Sequence, residues 1–356
     1  SDLNGRPFFS RNIGLANNRP VSITAGGKLS GEAGGLSIGA LSVITDGTGI
    51  ARDRQVLSVA RVTAPLFGES KVGFIVTNGD PTGLSKNSVA GADIQLRDSN
   101  FRPGVVAQAD FYYQRSFSST KGDDDSYGAA LNFPNEPWGG DAYFKQIGAD
   151  YAPALGFVNR TGVRIYDGRI VRRDRHAGWR FFDLSTTWNV VTGLDNTLQS
   201  RENIFEAAIS TQFTDEFHVR VVDDYENVPS VFKLASTVPV PVGGYHWTNF
   251  GGTIKTSDGR PITAELDVLC CSFYNGKYLN VDFVVDYRPT ALFQFGPHYT
   301  FTHIDLPTGE VDVHLIATDF IVNFTPDMQL YTQRSEEHTS ELQSHHDLVC
   351  RLLLEK

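Results

Sequence analysis

Several groups of side chains in this 356-residue sequence could do chemistry. Asp123, Asp124 and Asp125 stand together in KGDDDSYG, from Lys121 to Gly128, and a loop that gathers carboxylate oxygens is how a protein holds Ca2+. Here the three are consecutive, whereas a calcium loop alternates its ligands, so solvated loop charge is the simpler reading. Arg164, Arg169, Arg172, Arg173, Arg175 and Arg180 form the densest positive stretch of a chain whose net charge is −10. Guanidinium forks grip phosphate or carboxylate in pairs, so this run either meets an anionic ligand, shapes a charged passage, or builds cross-strand ion pairs. Glu265 and Asp267, two apart on one strand face, are the pair that glycoside cleavage would need; such pairs are commonplace on strands and are read as structural. The zinc-protease spelling His-Glu-x-x-His is absent. His298, His303 and His314 are read as polar groups of a strand's hydrophilic side rather than ligands. Cys270 and Cys271 are neighbours in one strand, where neighbours point to opposite faces, so they are expected not to pair.

The elements that would position these residues are strands. From Lys277 onward Leu279, Val281, Phe283, Val285 and Tyr287 alternate with Tyr278, Asn280, Asp282 and Asp286, and after Arg288-Pro289-Thr290 the alternation resumes with Phe293, Phe295, Tyr299 and Phe301. That is the two-sided signature of a strand, and it recurs in runs of about ten residues. About eighteen such runs can be drawn, from Pro20–Gly31 to Met328–Gln333, and the early ones, up to Ser118–Asp125, are joined by alternately tight and longer connections, with Asp98–Pro103 among the tight ones. Ala152 to Arg160 and Glu226 to Gly244, with its VPVPVGG run, interrupt them as a surface loop or an inward fold. Hydrophobic residues make up 40% and mean hydropathy is −0.22. No apolar run approaches the ~18 residues of a spanning helix, which excludes a helical membrane protein but not a barrel, since half of each barrel strand is polar. The acidic balance argues against a nucleic-acid partner. The expected fold is therefore all-β, an antiparallel up-and-down transmembrane β-barrel of about 16–20 strands. Trp138, Tyr151, Trp179, Trp188, Trp247 and Tyr274 are expected as its interfacial aromatic girdle, and the arginine run as a lumen field or a grip on lipopolysaccharide phosphates.

PFFSRNIGL at Pro7 to Leu15, ITAGGKLSGEAGGLSIGALSVITD at Ile23 to Asp46, FVNRTGVR at Phe157 to Arg164 and FTPDMQLYTQ at Phe324 to Gln333 resemble a C-terminal domain of unknown function. That domain occurs in large bacterial proteins with an N-terminal carbohydrate-binding module of the family-nine type. The resemblance covers most of residues 7–333 and implies an outer-membrane barrel with no established activity. Arg334 to Ser344, RSEEHTSELQS, resembles a translated sequencing adapter. Residues 334–356 are accordingly set aside as a non-native tail, together with His338, His345, His346 and Cys350, and 1–333 are read as one barrel domain, a fragment incomplete at its C-terminus. The tail is expected outside the barrel as a loose helix. The functional expectation is a non-enzymatic bacterial outer-membrane barrel that anchors a sugar-binding module or passes small carbohydrate-related solutes. It needs no cofactor, and its partners are outer-membrane lipid, lipopolysaccharide and an oligosaccharide. The alternative is a soluble carbohydrate-active sandwich or propeller associated with glycoside hydrolases, which would use strands of about 5–6 residues in facing sheets.

Overall fold

The computed structural model describes residues 4–16, 19–47, 54–234, 237–325 and 328–339. The chain is nearly all-β, its eighteen long strands laid up-and-down as antiparallel sheet. After a single 3-10 turn, β1 (Leu15–Ala16) and β2 (Arg19–Pro20) make a small hairpin. The first long strands are β3 (Ile23–Ala33), β4 (Leu36–Thr45), β5 (Gln55–Leu66), β6 (Ser70–Asn78), β7 (Asn87–Arg102), β8 (Val105–Ser118), β9 (Gly122–Phe133) and β10 (Trp138–Ile147). Then come β11 (Val163–His176), β12 (Trp179–Gly193), β13 (Leu198–Ser210) and β14 (Glu216–Val228). A short hairpin, β15 (Phe232–Leu234) and β16 (Val238–Val240), precedes β17 (Gly243–Lys255), β18 (Ile262–Phe273), β19 (Gly276–Thr290), β20 (Phe293–Leu306), β21 (Gly309–Thr325) and β22 (Met328–Thr339).

Two compact units are distinguished. The first holds Ser1–Asn135, Gly140–Gly168 and Val191–Thr197; the second holds Glu136–Gly139, Arg169–Val190 and Leu198–Lys356, so β11 and β12 contribute to both. In the first, β3 to β10 pair in chain order, each with the next. Gly34 and Gly35 close β3 on β4 at φ 58° and 79°, a conformation that costs an L side chain free energy and glycine almost none. Alternation on β8 turns Phe111, Tyr113 and Phe117 outward and exposed, and buries Gln114, Ser116 and Ser118 on the reverse. The buried face is covered by the N-terminal segment and the connection after β10. Gln114 Nε2 donates to Gly5 O at 2.6 Å, Asn87 Nδ2 to Ala152 O at 2.6 Å, and Lys145 Nζ to Asn4 O at 2.8 Å. Tyr151, Ile147, Val163, Ile165 and Val191 form a small apolar core beneath that cover.

In the second unit β13, β14, β17, β18, β19, β20, β21 and β22 likewise pair in sequence. The VPVPVGG connection folds onto the polar face as the β15–β16 hairpin, whose Val238 and Val240 pack with Val228, Trp247, Tyr274, Ile304, Leu306 and Val311. This core sits on the face opposite the exposed Phe217 and Val219.

Several expectations are corrected. Asp123 to Asp125 lie in β9, not in a loop, because the ladder to β8 runs through to Ser118↔Gly122 and leaves a three-residue connection. Tyr151, Trp247 and Tyr274 are buried residues rather than girdle aromatics, because in each unit a segment folds onto the polar face and covers them. Turn lengths alternate early in the chain, whereas later connections such as Tyr274–Asn275 and Pro307–Thr308 are tight. Cys270 and Cys271 are joined in a disulfide. The β17–β18 ladder ends at Phe250↔Cys270, and the next two amides, of Cys271 and Ser272, both donate to Asn249 Oδ1 at 2.8 Å, a local loss of the alternation that separates neighbouring side chains. Finally, Arg334 to Thr339, expected outside the sheet, continue β22 along β21, from Thr318↔Arg334 to Val313↔Thr339. A free strand edge selects peptide N–H and C=O groups, not side chains, which is why these residues extend the ladder. Residues 340–356, with His345, His346 and Cys350, lie outside the described residues.

Candidate functional site

The sheet presents two chemically distinct surfaces, and these are the candidate functional site. One surface is apolar and exposed. In the first unit it carries Phe74, Val76, Leu96, Phe111 and Leu131; in the second, Phe205, Val219 (65% exposed), Phe250, Ile254, Phe283, Phe295 and Ile316. Cross-strand register places them side by side: Phe205 faces Val221, which faces Phe250, and Leu266 faces Phe283, which faces Tyr299 and then Ile316.

The reverse surface is polar and laced with ion pairs. In the first unit Arg61 reaches Asp93 at 2.8 Å across Gly73, and Gln95 and Gln108 donate to the two oxygens of Asp110 at 2.7 and 2.8 Å. In the second, Arg220 holds Asp267 with two bonds of 2.8 and 2.7 Å, and Thr253 donates to the same carboxylate. Directly opposite Asp267, Asp282 accepts from Thr300 at 2.9 Å and lies 3.0 Å from His298 Nε2. Charge is tolerated here because each carboxylate has a donor; an unpaired one would carry its full desolvation cost.

Polar clusters also mark the margin of the apolar surface. Arg201 donates to Asp223 at 2.8 Å, His246 Nε2 lies 2.6 Å from the same carboxylate, and all three share the face of Phe205, Val219 and Phe250, just beyond them. Trp138, 60% exposed, lies under the Arg172 guanidinium with 5.7 Å to the ring centroid. In the connections outside the strands, Arg260 beside Asp215 holds that carboxyl below its ordinary range, and Arg175 does the same for Glu136.

The residues singled out from sequence are not gathered into one site. Asp125 takes Tyr113 Oη at 2.7 Å and Arg115 at 3.4 Å on the exposed face, whereas Asp124 accepts from the amide of Asp150 at 2.8 Å on the other, so the three carboxylates do not converge on an ion. Arg164 donates to Gln146 at 2.8 Å and to Asn196, at the start of β11. Near the far end of that strand, Arg173 pairs with Asp183 at 2.8 Å over the Phe181 ring, Arg175 with Glu136 at 2.7 Å and Arg172 with Asp174; Arg169 and Arg180 are exposed. Asp267 is neutralised by Arg220, and Glu265 lies 3.4 Å from Lys255, an arrangement suited to structural pairing rather than acid–base exchange. His298 lies on the polar face as expected. His303 and His314 do not: they share the face of Tyr299 and Phe301, two and more residues along, which strict alternation would have indicated. Gly35-Leu36-Ser37-Ile38-Gly39 spells Gly-x-Ser-x-Gly, but it occupies a hairpin turn and β4 rather than a strand-to-helix elbow. Reading along one strand at a time also missed the Arg61–Asp93 and Arg220–Asp267 pairs, which join strands far apart in sequence.

Comparison with family models, curated proteins and solved structures finds no match to the chain. Among the described residues no helix is long and apolar enough to cross a membrane.

Proposed function

We propose that the eighteen strands close into a transmembrane barrel of a bacterial outer membrane, with the apolar surface against lipid and the polar surface inward. The observation that carries this reading is the inversion of burial: phenylalanine and valine exposed on strand after strand, arginine–aspartate pairs half-buried behind them. In water such a surface would be sticky well beyond the few hundred Å2 usual for a monomer; in lipid it is the lowest-energy arrangement. A sandwich or propeller of the soluble alternative would place those side chains between layers.

Within that reading the domain serves as an anchor for a sugar-binding module more readily than as a wide passage for carbohydrate-related solutes. In each unit a segment folds onto the polar face: the N-terminal stretch with the β10–β11 connection in the first, the β15–β16 hairpin in the second. Arg164, at the strand end that bears the long β10–β11 connection, is the arginine suited to outer-leaflet phosphate, while Arg172 on Trp138 suits the opposite headgroup level. The test is fractionation of the chain expressed in a Gram-negative host. Recovery in the outer membrane, resistance to carbonate extraction and dependence on detergent are expected; a water-soluble monomer in detergent-free buffer would sink the proposal.

A further inference from the structure

At the tip of the β20–β21 hairpin, outside every role described above, three metal-ligating side chains converge. His303 faces Asp312 directly across the ladder, and Asp305 faces Glu310 two pairs nearer the turn. His303 Nδ1 lies 2.7 Å from Asp312 Oδ1 and 3.7 Å from Glu310 Oε1, and the three ligand atoms fall within 4.8 Å of one another. A tetrahedral ion with bonds of about 2.0–2.2 Å spaces its ligands by about 3.4 Å, between the two separations observed. Glu310, 64% exposed at its side chain, is free to close the remaining distance.

A second observation is electrostatic. On the same apolar-bearing surface Asp223 is matched by Arg201 and Asp125 by Arg115. Among the described residues Glu310 and Asp312 have no lysine or arginine partner; their one basic neighbour is the His303 imidazole. Lys277, opposite Asp305, makes no ion pair with either. Two carboxylates and an imidazole therefore meet with excess negative charge, on adjacent antiparallel strands that fix their Cβ positions.

We infer that His303, Glu310 and Asp312 form a binding site for a divalent first-row transition metal of the zinc type, with water completing its coordination. One imidazole nitrogen and two carboxylate oxygens suit Zn2+ or Co2+, whereas Ca2+ and Mg2+ favour all-oxygen shells. Coordination through His303 Nδ1 uses the neutral imidazole with its one proton on Nε2, so the ring stays neutral when the metal binds. Zinc binding there is independent of whether lipid surrounds the apolar belt.

The experiment is Co2+ titration of the full chain in detergent micelles, followed by its d–d absorption, with Zn2+ as competitor and Ca2+ as the oxygen-seeking control. One saturable Co2+ site is expected, displaced by Zn2+ and not by equimolar Ca2+. His303→Gln and Asp312→Asn, close in volume and at partly exposed side chains, should each weaken it roughly tenfold or more. The combined variant His338→Ala, His345→Ala, His346→Ala, Cys350→Ser should leave it unchanged. Absence of a saturable spectrum, its survival in His303→Gln, displacement by Ca2+, or its loss in the tail variant would each overturn the assignment.

Discussion

Replacing Phe283 with arginine puts the membrane reading under the greatest load. On β19 the apolar side chains of this face run from Leu279 to Tyr287, eight residue steps, or about 26 Å of strand at ~3.3 Å each. With the strand tilted about 40°, as barrel strands are, the belt is about 20 Å tall, and Phe283 lies four residues from either margin. Its neighbours in register are Leu266 and Tyr299, and it is 42% exposed, so the long side chain of an arginine introduced there could not reach water sideways. An arginine at a bilayer midplane costs a barrel about 2–4 kcal/mol, roughly 30- to 1,000-fold in the folding equilibrium at about 1.4 kcal/mol per tenfold. The control is Asn280→Arg on the polar surface, which forfeits a 2.9 Å bond to Thr302, worth about 1 kcal/mol. Urea unfolding in phospholipid vesicles, followed by tryptophan fluorescence, reads both. Equal costs for Phe283→Arg and Asn280→Arg, or a Phe283→Arg variant that becomes soluble without detergent, would refute the reasoning.

Four further outcomes are expected. Arg220→Met should destabilise by about 1–3 kcal/mol because Asp267 loses its guanidinium, and Arg220→Met with Asp267→Leu should recover most of that loss, as a double-mutant cycle would measure. Gly128→Val should cost about 1–3 kcal/mol by denaturant melting, since a Cβ there would meet Phe144 O at 2.5 Å and the Tyr112 ring at 2.7 Å. Asp215, lowered by Arg260, contributes its tie above the unfolded carboxylate pKa of about 3.9 and loses it as pH falls through the lower folded value; the protection of the Ser257 amide, which donates to Asp215 at 2.9 Å, measured as exchange relative to the intrinsic rate, should therefore fall as the pH passes below that lowered value, and Asp215→Asn should abolish that response. Replacing residues 229–242 with a short Gly-Ser link removes Val238 and Val240 from Trp247 and Tyr274, and single-channel recordings should then show greater conductance than the parent; an unchanged value would argue that the hairpin obstructs nothing.

The strands were legible because period-two alternation is a local property. Each of the eighteen runs corresponds to a long strand, with ends shifted by several residues where turn chemistry misleads. Asp98 to Pro103 reads as a turn from its Asp, Asn and Pro content, yet β7 continues to Arg102 through an irregular register and turns only at Pro103-Gly104. The Asp123–Asp125 run reads as loop because its charge has no visible partner; the partner, Arg115, lies ten residues back and meets Asp125 only once β8 and β9 are in register. The candidate sites were less legible for the same reason. His303 and Asp312 are nine residues apart, and only the two-residue turn at Pro307–Thr308 brings them opposite. The fate of Tyr151, Trp247 and Tyr274 depended on segments folding back over one face, which alternation along a strand does not encode.

The margin of β21 admits Arg334 to Thr339 through bonds that every amino acid except proline can supply. Selection at that border is thus by extended shape and length alone. A short synthetic peptide of unrelated composition, offered to a chain shortened before Met328, should be able to dock in the vacated berth, which makes this rim a natural place for molecules to trade segments.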